Sequence, residues 1–110
     1  ASDVYKRQLL DINLLDKSDI QNQTKKNPAY KKYFMHGTSH HLGLDTHDYC
    51  DLDMPFEKNM VLTVEPGIYI MEEGFGIRLE DDVVINENGS PTNLMANIPI
   101  EIEEIEELMN

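Results

Sequence analysis

The chain has one cysteine, Cys50, no histidine outside a single twelve-residue window, and only two bases beyond residue 34. One thiol cannot build an internal disulfide framework or a cysteine-rich zinc site, and it makes a reducing, cytoplasmic setting the expectation. No apolar run approaches the length of a membrane span, and no signal-peptide pattern opens the chain. Neither an internal repeat nor a low-complexity linker interrupts it. Nine Lys and Arg stand against 21 Asp and Glu, for a net charge of −12. A nucleic-acid backbone binder needs a basic face, and anionic membrane attracts basic segments, so no nucleic acid and no membrane is expected as a partner.

What is present suits one small domain or a piece of one: 110 residues, 40% of them hydrophobic, enough to bury a core. The charge is uneven. Residues 1–34 hold seven bases and four acids, whereas residues 35–110 hold Lys58 and Arg78 against 17 acids. A solvated acidic surface is one reading of that excess. The other is that some carboxylates gather around a cation, because buried acids need protons or metal to be tolerated. The first residue is Ala1 rather than methionine, and Ala1–Gln8 resembles a translated sequencing adapter. The expectation is a fragment of a longer protein, with residues 1–8 extraneous to the fold.

Local signals predict an α+β chain. Leu9, Leu10, Ile12, Leu14 and Leu15 suggest a helix end and a turn. Ser18-Asp19-Ile20-Gln21 fits a capping box with Ser18 at the N-cap. Asn27-Pro28 predicts a second short helix through Lys32, with Asn27 as cap and Pro28 in the first turn. Residues 36–48 read as loop and irregular strand. Met60–Glu65 is a β-branched run that continues, past a Pro66-Gly67 irregularity, through Ile70. Glu72-Glu73-Gly74 marks a turn, and Phe75–Ile85 alternates as one strand. After an Asn88-Gly89 turn, Asn93–Ile98 is a candidate strand. Pro99 opens a last helix with Ile102, Ile105, Leu108 and Met109 on one stripe. Turns this short make the sheet antiparallel.

The four histidines are His36, His40, His41 and His47. One histidine is usually structural; four in so short a stretch point toward a site. His40 and His41 are adjacent, so on an extended strand only one faces a given side. If Met71–Gly74 is a four-residue hairpin loop, Glu65 falls opposite Glu80, with Cβ atoms about 4.5–5.5 Å apart. Carboxylates so placed repel unless a cation lies between them. An exposed pair softened by Arg78 is the alternative. Carboxylates with one imidazole suit Mn²⁺, Co²⁺ or Zn²⁺.

Three ordered motifs sharpen this: His36-Gly-Thr-Ser-His40-His-Leu-Gly-Leu-Asp-Thr-His47-Asp48, Thr63-Val-Glu65-Pro-Gly-Ile-Tyr, and Gly76-Ile-Arg78-Leu-Glu80-Asp81. Together they closely resemble the C-terminal part of the catalytic domain of aminopeptidase P, the Xaa-Pro aminopeptidase of the pita-bread metallopeptidases. The resemblance implies a pita-bread fold and two divalent metal ions, usually manganese. It implies His40, Glu65 and Glu80 as metal ligands, Glu80 bridging both ions, and Glu65 also as proton shuttle. His36 and His47 would contact substrate or stabilise the oxyanion, and Arg78 would orient the carboxylates. His41 would pack; Asp45 and Asp48 would stabilise their loop. The implied substrate is a peptide with proline second, and a homo-oligomer is compatible with the resemblance. Two further aspartate ligands expected in the family would lie upstream. Asp3, Asp11, Asp16 and Asp19 are not in the strand context such ligands need, so the 110 residues alone are expected to be inactive. Prolidase, a dipeptidase of the same superfamily, and a ligand-free binding module of the same fold are the competing readings.

Overall fold

The computed structural model describes residues 2–51 and 53–110. In chain order the elements are helix α1 (Ser2–Asp11), helix α2 (Lys17–Asn22), a 3₁₀ turn (Ala29–Lys32), strands β1 (Val61–Val64) and β2 (Gly67–Ile70), a 3₁₀ turn (Met71–Glu73), strands β3 (Phe75–Arg78), β4 (Asp81–Ile85) and β5 (Pro91–Asn93), and helix α3 (Ile102–Met109). Residues form two compact units, one of 1–36 with 68–77, the other of 37–67 with 78–110. The mixture of helices and antiparallel sheet is the expected α+β class.

In the first unit, Leu9, Leu15 and Tyr33 are buried, with Leu10, Leu14, Ile20, Tyr30, Ile68 and Ile70 packed around them. Asn13 ends α1 in the left-handed region at φ 58°, a conformation asparagine tolerates. The turn folds the chain back, so the Leu14 and Leu15 amides both donate to the Leu9 carbonyl. Residues 2–8 are helical, and the Tyr5 ring stacks on Phe34 at 4.5 Å between centroids.

Two helix starts differ from expectation. The cap of α2 is Asp16, not Ser18: Asp16 accepts from the Asp19 amide while the Asp19 carboxylate accepts from the Asp16 amide. A charged acceptor makes the stronger cap, and Ser18 donates its hydroxyl to Asp16 at 2.6 Å. The turn after Asn27 begins at Ala29 because Asn27 is bonded back to Thr24 through both its amide and its carbonyl, leaving Pro28 at the cap. The Ser18 hydroxyl and then the Asp19 amide hold the Asp16 carboxyl below its ordinary value of 3.8. Its folded pKa is thus below its unfolded one, so the cap contributes fully above 3.8 and is lost as pH falls through the lower folded value. Amide-exchange protection in α2 is expected to drop on acidification over that range. In Asp16→Asn the acid-dependent step should be reduced.

The second unit is built on the antiparallel order β1-β4-β5. Pairs Val61↔Val84, Leu62↔Val83, Thr63↔Asp82 and Val64↔Asp81 set the register. Phe75–Ile85 is therefore two strands, not one: β3 pairs with β2 and β4 with β1, with Leu79 and Glu80 between them. The break lies where Pro66, which lacks an amide, interrupts the opposing chain; its carbonyl still accepts from the Leu79 amide at 3.2 Å. Strand β5 comes earlier than expected. The turn at Asn88-Gly89, with Gly89 at φ 80°, returns the chain at once, pairing Ile85 with Pro91. Proline is tolerated there because β5 is an edge strand. Residues 94–97 turn instead. Helix α3 starts at Ile102 rather than near Pro99, with Glu101 at its cap in extended conformation. Its Ile102, Leu108 and Met109 are exposed.

Candidate metal centre

The site begins with the histidine-bearing segment laid along β1. Hydrogen bonds from the Glu65 amide to the Thr38 carbonyl (2.8 Å), Thr63 to His40 (3.0 Å) and Leu42 to Val61 (3.0 Å) give it an antiparallel register, and His41 forms a bridge with Leu62. Opposed residues share a face and alternate residues return to it. His40 is thus on the face of Thr63 and Glu65, while His41 is on the face of Leu62 with its ring 6.2 Å from Phe56. The β1–β4 register, continued by one residue beyond Val64↔Asp81, places Glu80 across from Glu65.

The side chains converge accordingly. Among the described residues, one ligand atom from each of His40, Glu65 and Glu80 lies within 4.8 Å of the others. His40 Nε2 is 3.1 Å from Glu65 Oε1. Arg78 spans the two carboxylates, Nη1 at 3.5 Å from Glu65 Oε2 and Nη2 at 3.2 Å from Glu80 Oε2. Glu65 is only 9% exposed. Thr63, 1% exposed, was not singled out in the sequence. Its hydroxyl accepts the His40 amide at 3.0 Å and donates to Glu65 Oε1 at 3.1 Å. The signal was there: two residues before Glu65 on a strand is the same face.

The donor set fits a divalent cation. His40 Nδ1 lies 3.0 Å from the His41 carbonyl, which can only accept, so Nδ1 carries a proton. Nε2 then aims at Glu65 Oε1. A lone pair and a carboxylate oxygen at 3.1 Å are repulsive unless positive charge lies on or between them, as a second ring proton or a metal ion. The spacing also matches the roughly 3 Å between neighbouring donors that metal–ligand bonds of about 2.1 Å produce. One guanidinium for two carboxylates leaves negative charge for a cation to offset.

The other sequence-predicted residues are placed as follows. His47 is exposed, its ring 4.4 Å from that of His40. Asp48 pins that loop, accepting the Leu44 amide at 2.9 Å and the Tyr49 amide at 2.8 Å. His36 belongs to the first unit, where its Nε2 is 2.9 Å from the Tyr69 hydroxyl. Asp3 and Asp11 lie in α1, Asp16 caps α2 and Asp19 lies within it, none of them on a strand.

Comparison with known proteins places the chain among metallopeptidases. Residues 12–87 match the model of metallopeptidase family M24. The Xaa-Pro aminopeptidase of Escherichia coli strain K12 is 46% identical over 105 residues, covering 84% of this chain and 23% of its own. That of Haemophilus influenzae is 41% identical over 114 aligned residues, covering 93% and 26%. The solved structure of Pseudomonas aeruginosa aminopeptidase PepP superposes with a TM-score of 0.75 at 34% identity, over 92% of this chain and 25% of that one. The pita-bread architecture expected from the motifs is the one this likeness supports. The chain spans about a quarter of the length of these relatives. On a matched region that takes in His40, Glu65 and Glu80, the chain belongs to metallopeptidase family M24.

Proposed function

We propose that residues 1–110 are the C-terminal portion of one catalytic domain in a cytoplasmic metalloaminopeptidase that removes the first residue from peptides with proline second. The observation that carries the reading is the convergence of His40, Glu65 and Glu80 within 4.8 Å. Together with an upstream aspartate pair, these three would hold two divalent ions, Mn²⁺ foremost and Co²⁺ or Zn²⁺ as alternatives. When bound, such ions lower the pKa of water and polarise a carbonyl oxygen.

The remaining chemistry belongs to the side chains. Glu65 accepts a proton from the attacking water at its carboxylate and delivers it to the prolyl nitrogen. That delivery matters because the bond to proline is a tertiary amide with no N–H, and the nitrogen must be protonated to leave. His47 donates a hydrogen bond to the substrate carbonyl oxygen as charge develops on it, and His36 is a substrate-contacting residue. Arg78 holds both carboxylates in orientation, an outer contact of the kind that tunes metal sites.

The decisive experiment is metal analysis and peptide cleavage with a longer polypeptide carrying this segment and an upstream aspartate pair. About two divalent ions per chain and cleavage of Xaa-Pro tripeptides are expected. Cleavage of dipeptides only would make the protein a prolidase, and no metal would make it a binding module. The 110 residues alone, supplying three donors, are expected to hold metal weakly and show no turnover.

A further inference from the structure

We propose that Tyr69 is a positioning residue for His36 and that Gly76 is the seat that allows it. The proposal rests on the reading of His36 as a substrate-contacting residue. His36 lies in a segment without regular structure, so its ring orientation must come from its neighbours. On one side the Tyr69 hydroxyl is 2.9 Å from Nε2, and the two rings meet edge to face at 5.4 Å and 75°. On the other the Phe34 ring stands 4.9 Å away at 61°, itself stacked on Tyr5. The Tyr69 amide donates to the Tyr33 carbonyl at 2.9 Å, tying β2 to the stretch that leads into His36. The imidazole is therefore held between two aromatic rings, and one of its nitrogens is assigned to a phenol.

Gly76 makes this arrangement possible. A Cβ there would collide with the Tyr69 ring and come 3.1 Å from the Ile68 carbonyl. Any side chain at position 76 must displace the ring that contacts His36. The glycine of the Gly76-Ile-Arg78 motif thereby acquires a role distinct from the charged residues beside it. It leaves the surface of β3 bare where an aromatic ring from the facing strand lies down.

The test is a double-mutant cycle in the longer peptidase, read as kcat/KM on an Xaa-Pro tripeptide. Tyr69→Phe keeps the ring and removes the hydroxyl; loss of one such hydrogen bond is expected to lower kcat/KM about tenfold. Metal content and the far-ultraviolet circular dichroism spectrum should be unchanged. In a His36→Ala background the same change should cost nothing further, because its effect runs through the imidazole. Gly76→Ala should reproduce the Tyr69→Phe loss; if it fails to fold, Tyr69→Phe decides. Where His36→Ala lowers kcat/KM, Tyr69→Phe kinetics within twofold of the parent, or a loss that adds fully to His36→Ala, would overturn the proposal. If His36→Ala itself leaves kcat/KM intact, the reading of His36 fails on its own. The ¹⁵N shifts of the His36 ring then decide the Tyr69 link: a change in Tyr69→Phe sustains it, and no change removes it.

Discussion

Glu65→Gln is expected to lower kcat/KM of the longer peptidase by about 10⁴-fold or more, while leaving a folded protein. The substitution keeps the side-chain shape and an oxygen for the Thr63 hydroxyl, which lies 3.1 Å from Glu65 Oε1. It removes the charge that faces His40 Nε2 at 3.1 Å and Arg78 Nη1 at 3.5 Å. An amide accepts a proton far less readily than a carboxylate and binds divalent cations more weakly, so proton transfer and metal retention fail together. Arg78 keeps its second partner, Glu80 Oε2 at 3.2 Å, so no cation is left unpaired by the change. The measurements are steady-state cleavage of an Xaa-Pro tripeptide, metal content after gel filtration, and a thermal melt in chelator. A variant that keeps two ions and activity within tenfold of the parent would remove Glu65 from both roles. Glu65→Asp tests geometry rather than charge. It keeps the carboxylate but withdraws it by one methylene from His40, so metal should be retained better than activity.

The register that makes this prediction possible was legible in the sequence because two local signals agreed. Residues 61–65 are a β-branched run that reads as a strand, and Gly74, at φ 71°, closes the turn after Met71–Glu73. With a four-residue loop they set Glu65 across from Glu80; a three-residue loop would have put the two on opposite faces, and the register seen is that of the four-residue case. Position 80 was placed correctly even though Phe75–Ile85 proved to be two strands. Alternation continues through a junction where the chain changes partners, so periodicity alone does not register it. The α2 start was misplaced by two residues because Asp16-Lys17-Ser18-Asp19 offers two good caps. What separates them is the carboxylate of Asp16, a stronger acceptor than a hydroxyl, and Ser18 itself donates to it at 2.6 Å. The contact of His36 with Tyr69 joins positions 33 apart and belongs to the tertiary fold. No spacing rule reaches it. Thr63 escaped for a different reason. A threonine in a strand is ordinarily explained by β-propensity, and that bland explanation hides the hydroxyl.

That hydroxyl carries the second large effect. Thr63→Val should weaken divalent-metal affinity by about 10–100-fold, the usual scale for removing an outer hydrogen bond to a ligand. Valine nearly matches threonine in volume, so the buried site stays filled. What is lost is one oxygen with two duties. It accepts the His40 amide at 3.0 Å, fixing the backbone from which the imidazole projects, and it donates to Glu65 Oε1 at 3.1 Å, fixing the carboxylate. Both groups sit where water has little access, Thr63 being 1% and Glu65 9% exposed. Solvent therefore cannot fully replace the missing partner, and the metal-free protein should also lose about 1–2 kcal/mol of stability. Thr63→Ser separates the two contributions. It restores the hydroxyl and with it most of the metal affinity, while the lost methyl keeps stability below the parent by about 1 kcal/mol. Competition titrations with a fluorescent chelator read the affinities, and urea melts in chelator read the stabilities. If Thr63→Val and Thr63→Ser bind metal equally well, the hydroxyl does not orient the ligands, and Thr63 is a packing residue of β1.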